Sequence, residues 1–271
     1  MTEHAILVLG STGTVGRRLV ARLADLGAPV RAASRRGDVR FDWSEPPTWA
    51  PALDGSDRLF VLAPDGVPVD PAFVAQAVES GVRRIVLLSS RGIEAMDDRR
   101  LLDAEAVVRG SGAEWTIVRA DWFDQNFDEG FFRPAILAGE LAMPLGEHRQ
   151  AFVDAGDIAA VAAAALTSDG HGGRRYDVTG PRPLTFGEAA EIIGRVSGRT
   201  VRYRGSAEEY IAQQEALGEP REAAEGAVAV FAALRAAGEE GPTDDVLRVT
   251  GQPPLPFETY AAGAAAAGAW D

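Results

Sequence analysis

A glycine-rich turn follows the first apolar run of the chain and constrains the fold more than any other feature. The segment 5–16 reads AILVLGSTGTVG, and a helical pattern follows it at residues 17–26. The apolar run breaks into glycines at Gly10, Gly13 and Gly16. In a Rossmann unit such glycines permit the turn, the approach of the backbone to a pyrophosphate and the packing of helix on strand. Free N–H groups of the helix then face the phosphates. The turn predicts a dinucleotide site, and an ordinary strand-to-helix loop is the alternative.

The first half of the chain alternates strand and helix signals, which is typical of a parallel sheet covered on both faces. The runs LFVLA and RIVLLS are apolar throughout, as expected of strands that are buried on both sides. We therefore predict an α/β fold, a Rossmann-like doubly wound parallel sheet with a small C-terminal α/β substrate lobe. The predicted strands are 5–9, 29–33, 39–41, 58–63, 84–89 and 115–119, and the predicted helices are 15–26, 70–80 and 98–110.

The domain boundaries follow from the point at which this alternation ends. Beyond Trp122 the pattern loosens into Phe- and Gly-rich segments. Residues 1–121, with returning segments near 149–179, are predicted to form the Rossmann core. The remaining segments, 122–148 and 180–271, are predicted to form the smaller lobe. No long linker separates them, so residues 1–271 are expected to fold as a single unit.

Two capping boxes mark helix starts in the predicted lobe. Thr185-x-x-Glu188 opens one helix and Ser206-x-x-Glu209 opens the next. An Ala- and Glu-rich segment, 219–241, follows them and is interpreted as a helical, solvated outer layer.

The composition removes the usual chemistry of short-chain reductases. All 27 basic residues are arginines, and the first of the four tyrosines is Tyr176. No Tyr-x-x-x-Lys pair can exist, so the usual proton donor of these enzymes is absent.

The remaining composition restricts partners and location. A net charge of −13 argues against nucleic acid, and the lack of cysteine excludes disulfides and thiolate sites. His4, His148 and His171 do not have a metal-ligand spacing. The first strand begins at residue 5, and no apolar run is long enough to span a membrane. We expect a cytoplasmic protein with a small-molecule substrate, no nucleic-acid partner and no membrane association; the oligomeric state stays open.

The end of the second strand indicates which dinucleotide binds. An acidic residue at this position would contact the ribose of NAD, whereas arginine accommodates the 2′-phosphate of NADP. This chain has Ser34, Arg35 and Arg36 there, and no carboxylate before Asp38. NADP(H) is therefore the predicted cofactor, and solvated turn arginines are the alternative.

Two later strand ends should line the same ligand, because ligands bind outside the carboxyl ends of parallel strands. Ser89 could donate a hydrogen bond to cofactor or substrate, and satisfying local backbone is the alternative role. The residues at these ends are Leu62, Ala63 and Pro64, and then Ser89, Ser90 and Arg91.

Several segments together resemble a known family. GSTGTVG, VRFDWSEPPTW, FVAQAVESGVRRIVLLSS, SGAEWTIVRADWFDQNF and FVDAGDIAAVAAAAL resemble the NmrA-like branch of the atypical short-chain dehydrogenases. The likeness is strongest to bacterial relatives of the ergot-alkaloid iminium reductases and of the NAD(P)H:quinone oxidoreductases. It covers nearly the whole chain, and it is specific for fold and cofactor rather than for substrate.

The resemblance implies a role for each matching position. It places the pyrophosphate on the glycine turn, the 2′-phosphate on two arginines and the substrate over an aromatic floor. The implied cofactor-binding residues are Gly10, Ser11, Thr12, Gly13, Thr14, Val15, Gly16, Ser34, Arg35, Arg36, Asp42, Trp43, Leu62, Ala63, Pro64, Ser89 and Ser90. The implied substrate-binding residues are Arg91, Trp122, Phe123, Asn126 and Phe127.

The proton donor is where this chain departs from its family. Many relatives have a His or Tyr at the start of the helix whose later Glu matches Glu105, whereas this chain has Leu101, Leu102 and Asp103. The candidates that remain are Ser89, Asp103 and Asp121, with Asp124 and Glu105 also near the expected pocket. The alternative is that these carboxylates are solvated.

The missing donor restricts the reaction. Hydride transfer to an iminium needs no acid, and solvent can protonate a hydroquinone, whereas a simple ketone needs a donor or an oxyanion hole. We therefore expect an NADPH-dependent reductase of an activated acceptor, such as an iminium or imine, a quinone or an enone, in secondary metabolism. An aromatic cluster could stack a flat substrate or form lobe core; it comprises Trp122, Phe123, Phe127, Phe131 and Phe132. A non-catalytic NADP(H) sensor and a non-redox catalyst are the alternatives.

Overall fold

Nine strands form one large and one small parallel sheet in the computed structural model, which describes residues 5–239 and 241–271 and so excludes His4. The strands are β1 (Ala5–Leu9), β2 (Val30–Ser34), β3 (Val39–Arg40), β4 (Ser56–Val61), β5 (Arg84–Ser90), β6 (Glu114–Ala120), β7 (Glu140–Ala142), β8 (Arg174–Val178) and β9 (Arg202–Arg204). The large sheet has the order β3-β2-β1-β4-β5-β6-β8, and β7 pairs with β9. The strand order runs outward from β1 through β2 to β3 on one side and from β4 through β5 and β6 to β8 on the other. The topological switch point therefore lies between β1 and β4, where doubly wound sheets bind ligands.

Helices cover both faces of the large sheet. They are α1 (Thr14–Asp25), α2 (Trp49–Leu53), α3 (Pro71–Glu79), α4 (Arg99–Arg109), α5 (Arg133–Ala138), α6 (Ala155–Thr167), α7 (Phe186–Ser197), α8 (Ala207–Ala216), α9 (Arg221–Ala237), α10 (Asp245–Thr250) and α11 (Phe257–Ala266). Ile6 and Val8 of β1 join the cluster under α1, α6 and α10, and Leu7 and Leu9 join the cluster under α2, α3 and α4. The predicted Rossmann-like, doubly wound α/β fold is therefore confirmed.

The predicted elements of the first half match the observed ones closely, and β4 shows the largest shift. It spans Ser56–Val61 rather than 58–63. Its polar first residues still pair with β1, since Ser56 lies opposite Ala5 in the ladder. The apolar residues Leu62 and Ala63 lie beyond the strand and form part of the loop at its carboxyl end.

The C-terminal lobe has its own aromatic core. Phe127, Phe186 and Trp270 belong to one buried cluster that is separate from the two clusters of the large sheet. Both predicted capping boxes are present at the starts of α7 and α8. At α7 the Thr185 Oγ1 atom accepts from the Glu188 N–H at 3.0 Å, and the Glu188 carboxylate accepts from the Thr185 N–H at 2.9 Å.

The interpretation of residues 219–241 as a helical, solvated outer layer holds for most of α9 but not for one side of it. Phe231 and Leu234 pack against the lobe cluster, and their rings and methyl groups are partly buried. Together with Val230 they recur at helical spacing, which produces an apolar stripe on one side of an otherwise exposed helix.

Two classes of site receive no support from the described residues. None of the helices described is both long and apolar enough to cross a membrane. Nor do the described His, Asp and Glu side chains form a group of three or more arranged to hold a metal ion.

Asp124 is a buried carboxyl without a partner. It lies in the turn after β6, it is 0% exposed, and neither carboxyl oxygen makes a hydrogen bond to any described residue. Burial, together with the nearby carboxylates of Asp154, Asp157 and Asp128, raises its pKa well above the usual range. The folded protein therefore favours the protonated form, which burial does not penalise as a charge.

We predict that Asp124→Asn stabilises the protein increasingly as pH rises. Because the pKa is raised in the folded state, the wild type loses stability once pH exceeds the unfolded value, by at most about 1.4 kcal/mol per pH unit. The neutral amide removes that loss. Thermal unfolding between pH 5 and pH 9 should show a widening difference in melting temperature between Asp124→Asn and the wild type. Asp103→Asn, at an exposed position, is the control. A gap that is constant or narrows with pH would contradict the account.

Candidate active site

One large cleft lies at the carboxyl ends of the sheet strands. Its volume is about 1600 Å³, and residues that follow β1, β2, β4, β5 and β6 line it together with residues of the lobe. Pockets for single small molecules usually have roughly 300–1000 Å³. The cleft can therefore accept a dinucleotide and a second molecule side by side.

The glycine turn at the edge of this cleft leaves no room for side chains at two positions. Gly10 has φ +65°, and an added Cβ would lie 2.8 Å from Leu62 Cδ2. A Cβ at Gly16 would lie 2.1 Å from the carbonyl oxygen of Gly10. The first glycine thus permits the turn, and the third permits close packing of α1 on β1, as the sequence predicts.

The start of α1 suits an anion. Gly13 occupies the cap position and has no side chain to satisfy the first N–H groups, and the first turn has no acidic residue. Thr12, Gly13, Thr14 and Val15 all line the cleft. Unsatisfied N–H groups and the helix dipole both favour a phosphate here, so these residues fit the pyrophosphate of a dinucleotide.

The two predicted 2′-phosphate arginines differ in position. Arg35 lines the cleft immediately after β2, beside Ser34. Arg36 is exposed and does not line it. Neither guanidinium makes a hydrogen bond or an ion pair with the described part of the chain. Arg35 is therefore the better placed of the two for a phosphate.

Asp42 and Trp43 border the same end of the cleft and are held by local contacts. The Asp42 carboxylate accepts from the Ser44 N–H at 2.9 Å and from its hydroxyl at 2.8 Å, and these bonds lower the pKa of Asp42. The Trp43 indole donates to the Leu62 carbonyl at 3.2 Å and meets Phe41 and Phe73 edge-on. The indole thus provides a fixed apolar wall.

Ser89 lines the cleft, but its hydroxyl proton is already used. The Oγ atom donates to the buried Glu105 carboxylate at 2.7 Å. Ser90 Oγ donates to the carbonyl of Arg91 at 3.1 Å. In this geometry Ser89 is a packing and accepting group, and the prediction that it donates to the substrate is not supported.

A buried ion pair fixes the floor of the cleft. Arg119 on β6 donates to Glu105 on α4 through Nε at 2.7 Å and Nη2 at 2.8 Å. Its Nη1 and Nη2 atoms also donate to Glu94, at 3.0 and 2.7 Å. Burial alone would lower the pKa of Arg119, but the bonds to Glu105 and Glu94 outweigh it and raise that pKa. Both oxygens of Glu105 and all three nitrogens of Arg119 have a partner, which is the condition for stability in an apolar setting.

Arg91 and Asp121 form a second ion pair on the cleft wall. Arg91 Nη1 lies 3.0 Å from Asp121 Oδ2, and the Asp121 Oδ1 atom accepts from the Trp122 N–H at 2.8 Å. Burial raises the pKa of Asp121, and the charge of Arg91 opposes that shift. The pair presents little net charge to a ligand.

Most of the predicted site residues line the cleft, and five do not. Those that line it are Gly10, Thr12, Gly13, Thr14, Val15, Ser34, Arg35, Asp42, Trp43, Leu62, Ala63, Pro64, Ser89, Ser90, Arg91, Asp121, Trp122, Phe123 and Asn126. Those that do not are Ser11, Gly16, Arg36, Asp103 and Phe127.

The structure shows why three of these five residues lie outside the cleft. Gly16 lies beneath the turn, where it packs against the backbone of Gly10 instead of lining the cleft. Asp103 is exposed on the outer side of α4. Phe127 is 0% exposed and packs between Phe132 and Phe152, with ring centroids at 5.1 and 5.4 Å. Asp103 as proton donor and Phe127 as pocket floor are therefore wrong.

Several cleft residues were missed from the sequence. The lobe contributes a loop of three polar side chains and one side of α9. They are His148, Arg149, Gln150, Val230, Phe231, Leu234, Ala237 and Gly238. The apolar stripe of α9 was a usable signal, whereas nothing in the local pattern around residue 148 indicates a site.

The comparisons with known proteins agree with this geometry. A family model described as NAD(P)H-binding matches residues 10–169. The NAD(P)H azoreductase of Xenophilus azovorans is 36% identical, over 97% of this chain and 98% of its own length. Festuclavine synthase I of Penicillium roqueforti is 30% identical, over 94% and 96%. The chain therefore belongs to the NAD(P)H-binding family.

A solved structure supports the fold. The NADPH-dependent quinone oxidoreductase of Escherichia coli superposes with a TM-score of 0.73 at 20% identity, covering 95% of this chain and 98% of that one. The sequence-based prediction of an NAD(P)H-dependent oxidoreductase is confirmed. The predicted cofactor class is confirmed at the level of NAD(P)H.

We predict that Gly13→Ala weakens NADPH binding without unfolding the protein. Gly13 has φ −80°, an angle that alanine adopts, and its new Cβ would lie 3.2 Å from the Gly10 carbonyl oxygen, at the edge of the cleft. We expect the dissociation constant to rise at least 10-fold, or about 1.4 kcal/mol. Calorimetric titration measures it. Gly226→Ala, on α9 with open space around it, is the matched control. Equal affinities for all three proteins would contradict the assignment.

Proposed function

We propose that the protein is an NADPH-dependent reductase that delivers hydride to a flat, activated acceptor, namely a quinone, an iminium or imine, or an enone. The observation that carries this proposal is the continuity of the cleft. It runs from Arg35 and the glycine turn to the aromatic side chains of the lobe. Such a cleft suits a dinucleotide at one end and an organic molecule at the other.

The aromatic walls favour a flat acceptor. Trp122 is partly exposed and lines the cleft, and the rings of Phe131 and Phe231 lie near it, with centroids at 6.2 and 6.3 Å. Phe131 is 63% exposed although it is large and apolar. Rings in such positions stack on planar molecules and shield a positive charge.

Positioning is the main contribution of the chain to such a reaction. The bound cofactor would supply the hydride, and the turn, Trp43 and the strand ends would hold it beside the acceptor. Correct placement of two reactants can contribute roughly 7–11 kcal/mol. The apolar side chains of α9 and the lobe would replace part of the water around a bound acceptor.

The relatives support this acceptor range. One is named for azo-group reduction with NAD(P)H and another for the synthesis of festuclavine, and both span nearly the whole chain. Azo groups and iminium ions both contain an electron-poor double bond to nitrogen that can accept hydride. A cytoplasmic location and a role in secondary metabolism belong to the same proposal.

The non-catalytic sensor receives less support than the reductase. That alternative expects the aromatic cluster to fill the space in front of the cofactor. Trp122, Phe123 and Phe131 instead line an open cleft, and Phe127 and Phe132 form the core behind it.

The direct test of the proposal is anaerobic NADPH oxidation with one acceptor of each class, namely a quinone, a cyclic iminium, an enone and an azo dye. We expect acceleration with at least one class, because a preformed cleft aligns the reactants. The same measurement without protein corrects for spontaneous reaction. Absence of acceleration with every class, in a protein shown to bind NADPH, would refute the proposal.

We predict that Arg35→Ala removes the preference for NADPH over NADH. Arg35 lines the cleft without an internal partner, so its loss should weaken NADPH binding about 10-fold or more and leave NADH binding within about 3-fold. Arg36→Ala is the matched control, because Arg36 lies outside the cleft and should matter less. Dissociation constants for both nucleotides measure this. If the Arg36 variant shows the larger loss, the assignment of Arg35 is wrong.

A further inference from the structure

His148 is a polar cleft side chain that neither the fold nor the cofactor site uses. It lies in the loop before Gln150, half-buried, and lines the cleft with Trp122 and Asn126. Its backbone N–H donates to the Leu145 carbonyl at 2.9 Å. The ring nitrogens make no hydrogen bond to any residue within 5–239 or 241–271. A polar ring turned toward a ligand cleft without an internal partner has bonding capacity to offer a ligand.

The other titratable groups of the cleft are engaged or lie elsewhere. Asp121 is paired with Arg91, Glu94 with Arg119, and Asp42 with Ser44. Asp70 and Asp98 cap α3 and α4, and Asp65 and Asp98 lie 4.0 and 3.4 Å from Arg100. The hydroxyl protons of Ser89 and Ser90 are donated within the protein. No tyrosine of the described chain lines the cleft. Imidazole, in contrast, both donates and accepts protons in the range in which enzymes work.

The neighbours of His148 hold it in place. The Arg149 guanidinium makes two bonds to the Glu188 carboxylate, at 2.7 and 2.9 Å, and the Arg149 N–H donates to Glu239 at 3.0 Å. Gln150 exchanges two backbone bonds with Leu184, at 2.8 and 2.9 Å. The two residues that follow His148 are thus fixed to α7, to the end of α9 and to the loop before α7.

We propose that His148 is a catalytic residue that donates a proton to the reduced acceptor. This assignment rests on the proposed reductase function and deepens it, because it selects acceptors that become basic as they are reduced. Quinones, enones and azo compounds gain an oxyanion, enolate or nitrogen anion, whereas an iminium becomes a neutral amine. His148 therefore matters for the first group only.

The proposed reduction consumes one hydride and one proton. NADPH supplies the hydride with its electron pair, and NADP⁺ is released. The imidazolium N–H bond breaks as an O–H or N–H bond forms on the acceptor. Solvent then returns one proton to the imidazole. The acceptor gains one hydride and one proton in total.

The charged groups around this segment carry both signs. Arginine and glutamate alternate, so no single sign dominates: they are Glu147 and Arg149 on the loop, Glu188 on α7, Arg235 and Glu239 on and after α9, and the Arg91–Asp121 pair on the sheet side. Proton donation requires the charged ring, so kcat for a quinone or enone should fall as pH rises.

The test compares wild type, His148→Gln and His171→Gln with an enone and with a cyclic iminium, across pH. His171 bonds to Tyr176 at 2.8 Å, outside the cleft, and serves as the matched control. With the enone, we expect the kcat of His148→Gln to be roughly 100-fold lower than that of the wild type and to show no decline at alkaline pH. With the cyclic iminium, its kcat should stay within about 3-fold of the wild-type value. Equal losses with both acceptors, or no loss with the enone, would overturn the assignment.

A second readout needs no turnover and separates this inference from the reductase proposal. The chain has three histidines, so the imidazole NMR signal of His148 is identified by its loss in His148→Gln. We expect 4-nitrophenolate, added to the NADP⁺ complex, to shift that signal and to bind at least 10-fold more weakly to the variant. If the protein reduces no acceptor but the probe still shifts the His148 signal, the reductase proposal fails while the contact between His148 and the ligand is retained. An unchanged signal, or no probe binding, overturns the contact between His148 and the ligand.

Discussion

The contact between Gly16 and the carbonyl of Gly10 is the constraint on which the rest of the site depends. A Cβ would lie 2.1 Å from that oxygen, so α1 can pack against the end of β1 only with glycine at this position. The packing directs the first turn of α1 into the cleft and brings Leu19 and Leu23 against the sheet and α6. Stability and cofactor binding therefore share one backbone contact.

The floor of the cleft rests on charge rather than on apolar packing alone. Glu105 is 1% exposed and receives bonds from Ser89, Arg119 and Arg109, which lie on β5, β6 and α4. A buried ion pair of this kind contributes little net stability when complete and costs several kcal/mol when one partner is lost. The effect of this ion pair is positional, because it holds β5 and β6 together near their carboxyl ends, where ligands bind.

Local patterns in the sequence were sufficient to predict six of the seven strands of the large sheet, all except β8, and most of the residues at the strand ends that line the cleft. The glycine turn, the apolar strands and Arg35 all act through their immediate neighbours, so their spacing carries the information. The substrate end depends on contacts between distant segments. His148 reaches the cleft because Gln150 pairs with Leu184, and α9 reaches it because Phe231 meets Trp122. Phe127 was predicted to line the pocket, but Phe132 and Phe152 bury it, and the contact with Phe152 again joins segments that are distant in the sequence.

We propose that this cleft holds the cofactor in one orientation and that the hydride passes directly to an acceptor beside Trp122. The direct test is turnover of a cyclic iminium or an enone, which receive hydride at carbon, with NADPH deuterated on one or the other face of C4, followed by mass spectrometry of the product. The account predicts one deuterium in the product from one labelled face and none from the other, since a fixed cofactor presents one face to the acceptor end. Deuterium arriving from both faces, or from neither, would contradict it.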